Sequence, residues 1–278
     1  MKLNFIVNDY LLTWNLLFGA SISEDSYNYK TKLWKTYKKQ YNALTCEDKV
    51  MLSDIKNFIP DDDTLYNTVF ETELFTTLKK ETEKHRLYLM KIWDSYKKDI
   101  IKSCQEIIRL NFDNTYNILV VHPSMDTVYY DLNNKERNIV WGRKADMKDA
   151  TATLISILYT VVRYQIGNQF PNYKEIVQAI LELAINNELY TRLKDKSNYL
   201  AGDASLSFLK RQIYPYWLMY LGATEDSFTG YMMRDKIAFD IDKYPVEANL
   251  KKLDLIQFIE FCIKNQKYII RINQLEII

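Results

Sequence analysis

The chain is 278 residues long and 47% apolar, with 37 Lys+Arg against 36 Asp+Glu. That length suits one large domain or two ordinary ones, and so even a charge balance excludes a whole-molecule field that would draw in nucleic acid or anionic lipid. Six glycines and five prolines argue against a turn-rich all-β fold and for long helices.

Residues 3–18 are apolar and aromatic and read as a strand or short helix. Asn8, Asp9 and Asn15 interrupt them too early for a cleaved signal peptide. From Tyr27 to Leu44, the positions Tyr27, Trp34, Tyr37, Tyr41 and Leu44 fall at three-and-four spacing. This predicts an amphipathic helix with these residues in the core and lysines outside. A short helix near 46–58 ends before Pro60. Asp61, Asp62 and Asp63 then form a turn that caps a helix over 64–84. The run lacks the glycine and closing glutamate of a calcium loop. A long helix over 86–111 carries Leu89, Trp93, Tyr96, Ile100, Cys104 and Ile107 on one side.

The pattern then changes. Residues 116–122, 126–131 and 137–142 are short, β-branched and aromatic, with turn residues between them, and read as a small antiparallel sheet. Helices return at 146–166, 173–193, 204–221 and about 246–264, and KYIIRINQLEII at the end reads as a closing strand. The expected fold is therefore α+β and mainly helical. A helical region over 1–112 precedes a sheet-plus-helix region over 113–278, the two expected to pack as one compact unit with no flexible tether near 112–115.

Side chains that carry chemistry are sparse. Cys46, Cys104 and Cys262 lie far apart and suit reduced thiols in a cytoplasmic protein. His85 and His122 lie on different elements, and His122 reads as a surface or turn residue before Pro123. The chain has no G-x-S-x-G, no G-x-G-x-x-G and no G-x-x-x-x-G-K. No apolar run is long enough for a membrane span. Lysine and tyrosine interleave at 27–41 and 79–98, a composition that suits a solvated helix face or a phosphate backbone.

The segment DMKDATATLISILYTVVRYQI at 146–166 is the most informative. Asp149, Thr153, Ser156, Thr160 and Arg163 form a polar stripe on an otherwise apolar helix. Such a stripe marks one edge facing a groove or solvent, with hydroxyls able to bond the carbonyl four residues back. The next helix carries Glu175, Gln178, Glu182 and Asn186 along one side, and Glu182 either faces solvent or turns inward toward Ser156 and Thr160. Strands, a helix with small polar residues at i and i+4, and a glutamate about twenty residues on resemble a zincin-type metallopeptidase of the gluzincin kind, over residues 100–220. The resemblance implies an edge strand lining a cleft beside the helix. It places Ser156 and Thr160 in the slots of zinc-binding histidines, Ile157 in that of the general base, and Glu182 in that of the third ligand. A hydroxyl is a poor zinc ligand and Ile157 cannot take a proton.

The resemblance therefore implies a protein without catalytic residues, metal or cofactor. It would bind a peptide or protein in a vestigial cleft of Ser156, Ile157, Thr160, Glu182, Asp149 and Arg163. Two other readings stand beside it. One is a helical interaction or regulatory protein, with nucleic acid held on its lysine faces. The other is a hydrolase using carboxylates such as Glu182 and Asp149.

Overall fold

The computed structural model describes residues 1–111, 114–131, 136–143, 149–194, 200, 202–222 and 249–269. It is mainly helical with one small sheet, an α+β fold. Two compact units divide the chain: unit 1 holds Met1–Tyr96 and Phe112–Thr153, and unit 2 holds Lys97–Asn111 and Leu154–Ile278.

Unit 1 opens with strand β1 (Lys2–Ile6), and Asn8 caps helix α1 (Asp9–Phe18) by accepting from the Leu11 amide. Helix α2 (Glu24–Thr36) starts in a capping box built by Ser23 and Ser26, and breaks at Tyr37 before α3 (Lys38–Ala43). Helices α4 (Glu47–Ser53) and α5 (Thr64–Phe70) follow. Asp62, rather than Asp63, accepts from the Thr64 amide. The helices expected over 64–84 and 86–111 are differently divided: a break at residues 71–72 precedes α6 (Glu73–Ile107), which runs 35 residues without interruption. Strands β2 (Thr115–Val120), β3 (Thr127–Asp131) and β4 (Asn138–Gly142) complete the unit.

The strand order is β1-β2-β4-β3. The expected all-antiparallel sheet is corrected to a mixed one: β1, β2 and β4 run parallel, and only β3 is antiparallel, against β4. The residues of β4 and nearly all of β2 are buried, as befits strands covered on both faces. Register in the parallel part is marked by an asparagine row: Asn4 pairs with Asn117, and Asn117 with Asn138. The Asn117 amide donates to the Asn138 side chain at 3.0 Å, and Asn138 donates in turn to the Leu52 carbonyl at 2.6 Å. A one-residue slip would orphan these buried amides, so the row resists it. Leu11, Leu12 and Leu16 of α1, Met51, Leu65, Tyr66, Val69, Leu119 and Val140 form the core on one side of the sheet.

The predicted inward stripe of α2 is also corrected. Leu33 and Ser26 are buried, whereas Tyr27 and Trp34 are 61% and 43% exposed. The inward face runs through Tyr29, whose hydroxyl reaches the Thr68 carbonyl at 3.5 Å, one step around the helix from the expected line.

In unit 2, helix α7 (Ala150–Gly167) enters from unit 1, and α8 (Lys174–Leu181) runs on through a π-helical stretch, Glu182–Leu189, into α9 (Tyr190–Lys194). Helix α10 (Ser207–Leu221) ends at Gly222, whose left-handed φ of 89° suits glycine. Helix α11 (Leu255–Lys264) is capped by Asp254 and followed by the helical turn α12 (Gln266–Ile269). Of the expected closing strand, 267–269 is thus helical and 270–278 lies outside the described residues, as do 146–148 and 246–248 of the expected helices. Rings of Tyr216, Trp217, Tyr220, Phe258 and Phe261 pack together at the centre of this unit. Among the described residues, no helix is long and apolar enough to cross a membrane.

Candidate functional site

Each residue of the α7 stripe has a place in the fold. Asp149 caps the helix, its Oδ1 accepting from the amides of Thr151 at 2.9 Å and Ala152 at 3.2 Å. Thr153 donates to the Asp149 carbonyl at 3.3 Å and Thr160 to the Ser156 carbonyl at 3.1 Å, the i-to-i−4 bonds that hydroxyls make within a helix. Ser156 is half-buried, Ile157 is wholly buried among Leu154, Leu158 and Val161 on the same apolar helix, and Arg163 is exposed.

Glu182 turns inward and is only 3% exposed. Its Oε2 accepts from Lys210 Nζ at 2.6 Å, and its Oε1 from the Asp203 amide at 3.0 Å and from Gln178 at 3.5 Å. These partners come from α8, α10 and the turn before α10, none of them from α7. A Cβ added to Gly202 would lie 2.0 Å from Glu182 Oε2, so the backbone closes over the carboxylate. The side chain starts the π-helical stretch, a geometry that often marks a specialised position. What it does chemically is bind Lys210 and pin the 202–206 turn. Among the described residues, no group of three or more His, Cys, Asp or Glu is arranged to hold a metal ion.

A second polar cluster, in unit 1, escaped the sequence reading. Glu81 and His85 lie one turn apart on α6, and His122 lies just past the carboxyl end of β2. His122 is the turn residue its sequence position suggests, capping the helical turn Pro123–Met125, with its side chain 15% exposed. Its Nδ1 accepts from the Ser124 amide at 3.2 Å, which leaves Nε2 to carry the proton and donate to Glu81 at 3.1 Å. His85 is 8% exposed and its Nε2 has no hydrogen-bond partner among the described residues. Burial, aided by the nearby His122 ring, pushes its pKa down to about 4. The i,i+4 spacing of Glu81 and His85 was visible in the sequence; His122, 41 residues from Glu81, was not connectable to them.

The His85 shift has a sign that can be checked. The native state holds His85 neutral, so its contribution is complete above the unfolded pKa of about 6.5 and is lost as pH falls toward about 4. The depression of about 2.5 units corresponds to a loss of up to about 3 kcal/mol across that window. Urea midpoints measured from pH 7.5 to pH 4 should show this slope in the native sequence and a shallower one in His85→Phe. Parallel slopes in the two proteins would refute the assignment.

Exposed apolar side chains occur at several places, among them strand β3 and helix α2. Strand β3 is an edge of the sheet, and alternate residues Val128 and Tyr130 are 41% and 44% exposed while Tyr129 between them packs onto the unit 1 core. On α2 the exposed pair is Tyr27 and Trp34, with Lys38 Nζ 5.2 Å from the Trp34 ring centroid. Comparison of the chain with protein-family models, curated proteins and solved structures finds no match.

Proposed function

We propose that the protein is a non-catalytic binding protein that takes an extended peptide along strand β3. The observation that carries this reading is the character of β3: among the described residues it is an edge strand, antiparallel to β4, that presents Val128 on an exposed face. An edge strand offers a row of backbone donors and acceptors to an incoming strand, and pockets beside alternate side chains supply selectivity. In this reading the helix carrying Ser156, Ile157 and Thr160 is a scaffold element, in keeping with a zincin-like helix that has lost its metal ligands. The engagement of Glu182 by Lys210 and of Thr160 by the Ser156 carbonyl supports the absence of catalysis at those positions.

Peptides selected from a random display library should bind with micromolar affinity and slow amide exchange along Thr127–Asp131. Val128→Lys places a charge on the edge, a device by which natural sheets repel added strands, and should weaken those peptides at least tenfold. Peptides that bind while β3 amides exchange at their free rate, or that ignore Val128→Lys, would overturn the reading.

A further inference from the structure

Residues 26–46 contain five lysines and no aspartate or glutamate. Lys30 is tied to the Gly19 carbonyl at 2.7 Å, and Lys39 lies close enough to Asp62 to favour its charged form. Lys32, Lys35 and Lys38 are exposed. Tyr27 and Trp34 are seven residues apart, two turns of one helix face, and Lys38, past the break at Tyr37, brings its Nζ to 5.2 Å from the Trp34 ring centroid. A helix that served only the core would turn its tryptophan inward; here Leu33 takes that place and Trp34 stands in solvent under a lysine. Aromatic faces beside cations are what a single strand of nucleic acid needs, since bases stack on rings and phosphates pair with ammonium groups. Tyr27 and Trp34 stand about 10.5 Å apart along the helix axis, close to three stacked base steps of about 3.4 Å.

We propose that the exposed face formed by Tyr27, Thr31, Trp34 and Lys35 of α2 and by Lys38 at the start of α3 binds single-stranded nucleic acid with little sequence preference. The proposal is independent of the β3 reading and uses different residues. Glu24 and Asp25 open the helix, and past them the charges are all lysine, with Lys32, Lys35 and Lys38 exposed; that end favours a polyanion, and the two rings favour one whose bases are unpaired. Lysine heads and aromatic faces carry no pattern that reads a base edge, so the preference is for strandedness rather than sequence.

The test is fluorescence anisotropy of labelled dT12 and rU12 with the whole chain, at 50–200 mM KCl. Binding should quench tryptophan fluorescence and weaken with salt, with a log–log slope of about −1.4 for the two lysine–phosphate contacts of Lys35 and Lys38. Trp34→Ala and Tyr27→Ala should each weaken binding about tenfold or more, and Lys35→Gln with Lys38→Gln should flatten the salt slope. These positions are exposed, so the variants keep the fold, which circular dichroism verifies. Binding that is undetectable at 100 µM protein and 50 mM KCl would overturn the proposal. So would binding indifferent to Trp34→Ala, or equal affinity for a duplex or for polyglutamate, which would make the face a general anion or acidic-protein surface.

Discussion

Replacing Glu182 with alanine will lower the stability of unit 2 by about 3–5 kcal/mol, the loss typical of breaking a buried ion pair from one side. The carboxylate is 3% exposed, and three donors converge on it from three parts of the unit. Its removal leaves the Lys210 ammonium, with a side chain 18% exposed, and the Asp203 amide without their acceptor. Glu182→Gln keeps an acceptor for the amide but not the charge, and should lose roughly half as much. Glu182→Leu with Lys210→Met removes both charges and should recover most of the stability, because a buried pair is often replaceable by apolar side chains. Gly202→Ala should also destabilise, since its methyl group would collide with Glu182 Oε2. Amide exchange in α8 and α10 across a urea series measures all four. A loss below about 1 kcal/mol in Glu182→Ala would mean that water solvates Lys210 in place of the carboxylate.

Local pattern carried the helices, and the errors fall where partners are distant in sequence. Of the stripe Leu89, Trp93, Tyr96, Ile100, Cys104 and Ile107, all but the half-buried Tyr96 are buried as the spacing predicts, because helical periodicity is a property of consecutive residues. The sheet direction was not legible. The partner of Asn117 in β1 is Asn4, 113 residues away, and nothing near either strand states which neighbour it takes. Helix α2 carries two overlapping stripes, Tyr27–Trp34 and Ser26–Leu33, and counting apolar residues favoured the more aromatic one. The capping box at Ser23 and Ser26 begins the helix with Ser26 inward, which seats Leu33 seven residues later in the core. For the candidate site, the reading left Glu182 either facing solvent or turned toward Ser156 and Thr160; it turns inward, but to partners the reading did not name. Lys210 lies 28 residues on, in a helix whose other residues gave no sign of a buried charge. Arg109 was missed altogether, since it fell inside the helix expected over 86–111, whereas the helix ends at Ile107 and Arg109 turns into a left-handed conformation.

Arg109→Ala will destabilise unit 2 by roughly 3–4 kcal/mol, as expected when several charge-assisted hydrogen bonds are lost with partial compensation by water. The guanidinium donates to the carbonyls of Lys251 at 2.6 Å, Leu253 at 2.8 Å and Tyr220 at 2.9 Å, and lies over the Tyr220 ring at 4.2 Å. It thus joins the end of α6 to the end of α10 and to the turn before α11. The Tyr220 hydroxyl donates back to the Ile107 carbonyl, and the Leu255 amide to that of Ile108, so the same chain segment is held from both sides. Arg109→Lys should recover little of the loss. One ammonium cannot reach three carbonyls in the planar fork that a guanidinium provides, and it stacks poorly on a ring. Arg109→Gly separates the backbone from the side chain. Arg109 has a φ of 57°, a left-handed conformation that glycine adopts at no steric cost. The glycine variant should therefore be about 1 kcal/mol more stable than the alanine variant while lacking the same three bonds. Urea denaturation followed by amide exchange in α10 and α11 gives the ranking native, then lysine and glycine, then alanine. Full recovery by lysine would show that positive charge alone is required and that the three-carbonyl geometry is incidental.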